Sequence, residues 1–146
     1  MSRKRARVYA MEPNADRIVN SILQVITEAA RRAVVVTQYD IVKTIFLADR
    51  AHLNKYGRPI TYDDYVAMKF GPVPSAVYDL LKENKFRMDK FSLRALPWTR
   101  REAPEIGQSC FAYERPQAGP SEDVLSPRDF EELSDALKRS ARNAAR

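Results

Sequence analysis

The run from Asp49 to Tyr78, DRAHLNKYGRPITYDDYVAMKFGPVPSAVY, constrains the fold more than any other part of this chain. It places Asp49 and the only histidine, His52, one helical turn apart, and Gly-Arg-Pro then ends that helix. A short alternating segment follows, and Gly-Pro-Val-Pro leads into another helix as a stiff bend, because a residue before proline favours extended backbone. The run therefore predicts a helix, an exit loop, a strand and a bend in close succession.

Two long helices are predicted before this bend. The first covers residues 15 to 32 behind the N-cap Asn14, and its apolar stripe has the spacing of a helix buried on one side. The second begins at a capping box formed by Thr37 and Asp40, and it ends before Gly57, which supplies the left-handed turn after the last helical residue. The residues of the first stripe are Ile18, Ile22, Val25, Ile26 and Ala29.

Two alternating segments predict a small antiparallel sheet. Residues 65 to 70 read Tyr-Val-Ala-Met-Lys-Phe, so Val66, Met68 and Phe70 are expected to face inward from one strand. Residues 109 to 115 alternate in the same way. We expect this second segment to pair with the first.

The remaining segments complete a mostly helical α+β single domain. A third helix is predicted from residue 74 to about 84, and a last helix begins at Ser126. Residues 85 to 108 are interrupted by prolines and predict irregular or edge structure, with Phe86 and Trp98 among the side chains that close over the core.

Composition limits the chain to one domain and excludes several kinds of site. The 146 residues are 45% hydrophobic, enough for one core, and no apolar run reaches the roughly 20 residues of a membrane span. We expect a cytoplasmic protein that does not bind membranes. A single cysteine, Cys110, and a single histidine cannot form a disulfide or a His/Cys zinc site, and no phosphate loop or dinucleotide motif is present. No cofactor, metal or catalytic residue is therefore expected.

The positive charge is concentrated at the start of the chain. The net charge is +6, and residues 1 to 73 carry 12 Lys/Arg against 7 Asp/Glu. Arg3, Lys4, Arg5 and Arg7 supply most of this excess, so residues 1 to 14 are expected to form a basic, flexible tail ahead of a domain at 15 to 146. A nucleic-acid-binding regulator that uses this tail is the alternative function.

Asp49 lies near the middle of the apolar face of the second helix, so it needs a partner. His52 is one turn away, and Arg58, Thr61 or the backbone amides of the following loop lie within reach. We interpret Asp49 and His52 as a structural polar clamp that holds this loop to the helix. An Asp-His acid/base pair is the alternative, although no nucleophile or third carboxylate completes a catalytic set.

The segment from Thr37 to Lys82, with its exit ADRAHLNKYGRPIT and the run YVAMKFGPVPSAVYDLL, resembles the Panacea domain, the SocA-like antitoxin family of phage-associated and toxin-antitoxin proteins. The resemblance covers residues 15 to 85 well and the remainder loosely. It implies a domain without enzymatic activity that binds and neutralises a cognate protein toxin encoded beside it. In one branch of the family it implies a proteolytic adaptor that delivers the toxin to an AAA+ protease.

One departure from the family pattern concerns the end of the chain. Such domains look as though they continue past the last helix with a further helix that carries a His and a Trp, and this sequence ends at Arg146 with neither. We expect either a C-terminally truncated domain or a short family member.

The toxin-facing surface is predicted at the loop after Gly57, the proline bend and the start of the following helix. This region has more aromatic and proline-stiffened residues than a small core obviously needs, and such residues bury large areas at small entropic cost. The predicted partner-binding residues are Arg58, Tyr62, Tyr65, Lys69, Phe70, Pro72, Pro74 and Tyr78.

Overall fold

The computed structural model describes residues 13–144 except Phe70, Arg115 and Gln117, with side chains described up to Ser140. The predicted basic tail at residues 1 to 14 lies almost wholly outside this range. The described part contains five helices and two separate two-stranded sheets. The prediction of a mostly helical α+β domain is confirmed.

The five helices are α1 (Ala15–Arg31), α2 (Gln38–Tyr56), α3 (Ser75–Leu81), α4 (Lys85–Lys90) and α5 (Pro127–Ala144). The four strands are β1 (Tyr65–Met68), β2 (Gly71–Pro74), β3 (Thr99–Glu102) and β4 (Phe111–Glu114). Among the helices described, none has the length and apolarity needed to cross a bilayer.

Local sequence signals set both ends of α1 and α2. Asn14 accepts a hydrogen bond from the amide of Arg17, as an N-cap should. Thr37 and Asp40 form the predicted capping box, and Gly57 ends α2 in the left-handed conformation. These predictions are confirmed, because each depends on residues within a single turn of the helix end.

The core lies between α1, α2, α3 and α5, and α2 packs most extensively against α5. The predicted α1 stripe forms the centre of it, since all five of its side chains are at most 1% exposed. The fully buried aliphatic residues from the rest of the chain include Ile41, Ile45, Ile60, Leu80, Leu81, Leu125 and Leu133.

The predicted strand pairing is wrong. β1 pairs with β2, with Val66 opposite Val73, and β4 pairs with β3. Each strand therefore pairs with its nearest neighbour in sequence, which requires only a short connection. A separate bridge between Thr37 and Ala112 holds the second hairpin against the start of α2.

Two further predictions about side chains and elements are corrected. Val66 and Met68 are 42% and 44% exposed, and the residue of β1 that is half-buried is Tyr65, whose hydroxyl donates to Asp49 on α2. Residues 85 to 90 form the short helix α4 behind the N-cap Asn84, so this part is not irregular. Phe86 on α4 is 77% exposed and does not close over the core, whereas Trp98 is buried.

Candidate functional site

A buried carboxylate joins α2 to the loop that follows it. Asp49 is 4% exposed and accepts four hydrogen bonds. Its Oδ1 accepts from the backbone amides of Ile60 and Thr61 at 2.8 and 3.0 Å. Its Oδ2 accepts from the Thr61 hydroxyl at 2.6 Å and from the Tyr65 hydroxyl at 2.7 Å. The carboxylate thus meets the hydrogen-bonding needs of the exit loop and of the first residue of β1.

His52 has different partners from Asp49. Its ring is fully buried, and Nδ1 donates to the carbonyl oxygen of Arg58 at 2.6 Å. Its Nε2 lies 3.2 Å from Oδ1 of Asp129 on α5. Asp49 and His52 therefore hold the same loop through separate contacts, and both side chains are enclosed. This geometry does not support an Asp-His acid/base pair, which would have to reach a substrate.

Asp129 ties the start of α5 to α1. Its Oδ2 accepts from the Arg17 guanidinium at 2.7 Å and from the Ser126 amide at 2.8 Å. Burial opposes the ionisation of Asp129, but these two donors outweigh it and hold its pKa below the usual range. The same guanidinium also donates to the carbonyl oxygens of Ile60 and Val124, so it anchors the exit loop from the other side.

A second buried carboxylate, Asp63, holds the start of α3. Its two oxygens accept from the amides of Ala76 and Val77, each at 2.9 Å, which are unpaired donors of the first helical turn. Burial raises the pKa of Asp63 to about 6 although both amides favour the charged form. Pro74 precedes this helix at the N-cap and has no side-chain acceptor to offer, so Asp63 replaces the missing cap.

An apolar groove of about 670 Å³ opens beside this hydrogen-bonded region. One wall is the N-terminal half of α2, and the other is the β1–β2 hairpin with the start of α3. Tyr39 stands at the rim, 62% exposed. The lining residues are Gln38, Tyr39, Val42, Lys43, Phe46, Leu47, Met68, Lys69, Pro72, Val73 and Tyr78.

Some of the predicted partner-binding residues line the groove, and others belong to the hydrogen-bonded region beside it. Lys69, Pro72 and Tyr78 line the groove. Tyr65 donates to Asp49 and packs edge-on against Phe46, with ring centroids 5.8 Å apart. Burial and the neighbouring Asp49 carboxylate both raise the pKa of Tyr65, so its hydroxyl stays protonated and remains a donor.

The other predicted partner-binding residues are not among the described residues that line the groove. Pro74 is buried at the N-cap of α3. Arg58 is exposed, and its carbonyl oxygen accepts from His52. Tyr62 is half-buried in a left-handed backbone conformation with φ of 58°. Phe70 lies outside the described residues.

The α2 wall of the groove is the part that sequence reasoning missed. All the predicted partner-binding residues follow Gly57, and none lies on α2. The available signal is that Tyr39, Val42 and Phe46 follow the spacing i, i+3, i+7, which makes a second apolar stripe beside the one led by Ile41 and Ile45. A helix that is apolar on more than one side has more than one partner surface.

The network and the groove together suit a protein-interaction domain better than a catalytic one. In the described part of the chain, no group of three or more His, Cys, Asp or Glu side chains is placed to hold a metal ion. The buried carboxylates are bound by protein donors, while the exposed site is apolar and basic.

Comparison with known families agrees with this class. The family model described as antitoxin SocA-like, Panacea domain matches residues 41–139. The chain belongs to this family, and the membership supports an antitoxin-type, non-enzymatic role and a protein partner in general. No curated protein and no solved structure gives a significant match to the chain.

Proposed function

We propose that this protein is an antitoxin that binds a cognate protein toxin, encoded beside it, in the groove between α2 and the β1–β2 hairpin. The observation that carries the proposal is the exposed apolar and aromatic lining of this groove in a chain of the antitoxin family. Tyr39 and Met68 remain 62% and 44% exposed, and burying such surface contributes about 25 cal/mol per Å².

Each wall of the groove contains a feature that restricts its backbone, which favours binding. The α2 wall begins at a complete capping box, and the hairpin wall contains Pro72 and Pro74. Backbone that is already restricted loses less conformational entropy when a partner docks, so less of the interaction free energy is lost. Aromatic side chains such as Tyr39 and Tyr78 are the usual anchors of such interfaces.

The polar clamp supports this site without entering it. Asp49 on α2 accepts from Tyr65, the first residue of β1, so it fixes the distance between the two walls. Asp63 holds the start of α3, the helix that carries Tyr78, in the same way. These contacts position the groove, and the lining residues bind the toxin.

Neutralisation has two forms in this proposal. The antitoxin covers a surface that the toxin needs, or it acts as a proteolytic adaptor that delivers the bound toxin to an AAA+ protease. The second form is the function implied for one branch of the family. In a strain without the protease, an antitoxin that covers the toxin surface should still restore growth. An antitoxin that delivers the toxin to the protease should no longer restore growth, and the toxin should accumulate.

Co-expression with the product of the adjacent gene tests the proposal. The wild-type antitoxin should restore growth, and Tyr78→Ala and Lys69→Glu should abolish this rescue while circular dichroism and the melting temperature remain those of a folded protein. The matched control is Phe86→Ala, because Phe86 is 77% exposed and does not line the groove. If folded groove variants still restored growth, the toxin would bind another surface. If the wild-type protein failed to restore growth, the antitoxin function would be refuted.

A further inference from the structure

We infer that the groove takes an acidic amphipathic helix of the toxin, with apolar anchors on one face and Asp or Glu residues on its flanks. This inference rests on the proposed function and adds the chemistry and the secondary structure of the segment that docks. Three features of the groove carry it: its charge, its strand edge and its length.

The charge of the groove is of one sign. Its lining contains Lys43 and Lys69 and, among the described residues, no Asp or Glu. Two further cations stand over aromatic residues of the lining, Arg50 at 5.3 Å from the Phe46 ring centroid and Lys82 at 5.0 Å from that of Tyr78. An apolar floor below a cationic rim is complementary to a segment whose apolar side chains are flanked by carboxylates.

The strand edge beside the groove is unsuited to adding a strand. β2 reads Gly-Pro-Val-Pro, and Pro72 and Pro74 have no amide N–H. In an antiparallel pair, alternate residues turn their backbone groups toward the partner strand, so Gly71 and Val73 face β1 and the prolines occupy the outer positions. The outer edge therefore lacks donors, and an extended partner would leave its own carbonyl groups unpaired.

The length of the groove matches a short helix. The α2 wall runs from Gln38 to Leu47, which at 1.5 Å per residue is about 14 Å. A helix of the same length has about nine residues and places anchors at positions i, i+3 or i+4, and i+7 on one face. The groove thus has room for two to three helical turns of a partner.

The chain's own N-terminal segment is a poor occupant by the same criterion. Its first twelve residues include four basic residues and one acidic residue, so its charge has the same sign as the rim. Like charges brought together at an interface oppose binding. The N-terminal segment therefore lacks the negative charge that the groove requires of its occupant.

Charge reversal in the groove tests whether the docking segment of the toxin is negatively charged. In the double variant Lys43→Glu, Lys69→Glu, the affinity for the purified adjacent-gene toxin should fall at least about tenfold at low salt, and the loss should shrink as salt rises. Lys138→Glu is the matched control, since Lys138 is exposed on α5 and does not line the groove. If the variant destabilises the fold, Lys43→Gln with Lys69→Gln provides the neutral version. Unchanged or tighter binding by a folded variant would overturn the inference.

Photocrosslinking tests the identity of the segment. Benzoylphenylalanine at position 39 should capture an acidic, helix-forming segment of the toxin, and the same probe at position 86 should not. Capture of a basic or extended toxin segment, or of a second copy of this chain, would overturn the inference. If the wild-type protein still restored growth in that case, the proposed antitoxin function would stand. Loss of both the rescue and the crosslink in the wild-type background would instead refute the proposed function.

Discussion

Two neighbouring regions of this protein use their side chains in opposite ways. In the clamp of Asp49 and His52, and at the neighbouring Asp63, buried polar side chains are hydrogen-bonded to the protein itself. In the groove, apolar and aromatic side chains such as Tyr39 remain exposed. Buried polar side chains and exposed apolar side chains reverse the usual arrangement, so the clamp and the groove each need an explanation.

From this comparison we expect the clamp residues to be structural and the groove residues to bind a partner. A buried carboxylate with four donors cannot release them to a ligand without leaving buried groups unpaired, so Asp49 has an architectural role. An exposed tyrosine contributes little to folding and much to an interface. Variants in the clamp should therefore change stability first, and variants in the groove should change binding alone.

The largest effect is expected for Asp49→Ala. The substitution leaves two backbone amides and two hydroxyls without their acceptor, and we expect a loss of about 3 kcal/mol or more in the free energy of unfolding. Chemical denaturation measures this loss. Asp64→Ala, in the same loop but exposed, is the control and should change stability by less than about 0.5 kcal/mol. Equal stability of the two variants would show that the clamp is not structural.

The next effect is a pH dependence that comes from Asp63. Its folded-state pKa of about 6 lies above the ordinary aspartate pKa of 3.8, so folding favours its protonated form. Its contribution to stability is complete below about pH 3.8 and is lost as the pH rises through 6. Relative to Asp63→Asn, the wild type should gain on the order of 2 to 3 kcal/mol between pH 7 and pH 4.

Denaturation of both proteins across this pH range measures that difference, and effects of other carboxylates cancel because both proteins contain them. NMR titration of the side-chain carboxyl provides a direct check. A constant difference in stability, or a pKa of Asp63 near 4, would contradict the assignment.

Two valines give a smaller contrast. Val77 is fully buried at the start of α3, and Val66 is 42% exposed on the hairpin. Val77→Ala should lower the free energy of unfolding by about 2 kcal/mol, because it removes buried methyl groups and leaves a cavity, whereas Val66→Ala should lower it by about 0.5 kcal/mol or less. Thermal denaturation of the pair checks this. Equal losses would show that the outer face of β1 is part of the core.

The sequence predicted most accurately the features that depend on local interactions. The cap at Asn14, the capping box at Thr37 and Asp40 and the turn at Gly57 each involve residues a few positions apart, and all are present. The stripe of α1 is visible for the same reason, because helical periodicity is a local property.

The features that it did not predict depend on how distant elements meet. Tyr65 is the residue of β1 that turns toward α2, where it bonds to Asp49, and alternation alone does not indicate this contact. Asp129 reaches His52 and Arg17 from the far end of the chain, so no spacing in the sequence indicates this contact. The groove needs both α2 and the hairpin in place, and only its hairpin side was predicted.

The central claim is that the groove binds the toxin while the clamp only builds the groove. Calorimetric titration of the purified toxin into Tyr39→Ala tests it most directly, with Phe86→Ala, an exposed aromatic residue outside the groove, as the control. We expect Tyr39→Ala to weaken binding by about 2 kcal/mol, or roughly 30-fold, with an unchanged melting temperature, and Phe86→Ala to bind as the wild type does. Wild-type affinity in Tyr39→Ala, or an equal loss in both variants, would contradict the account.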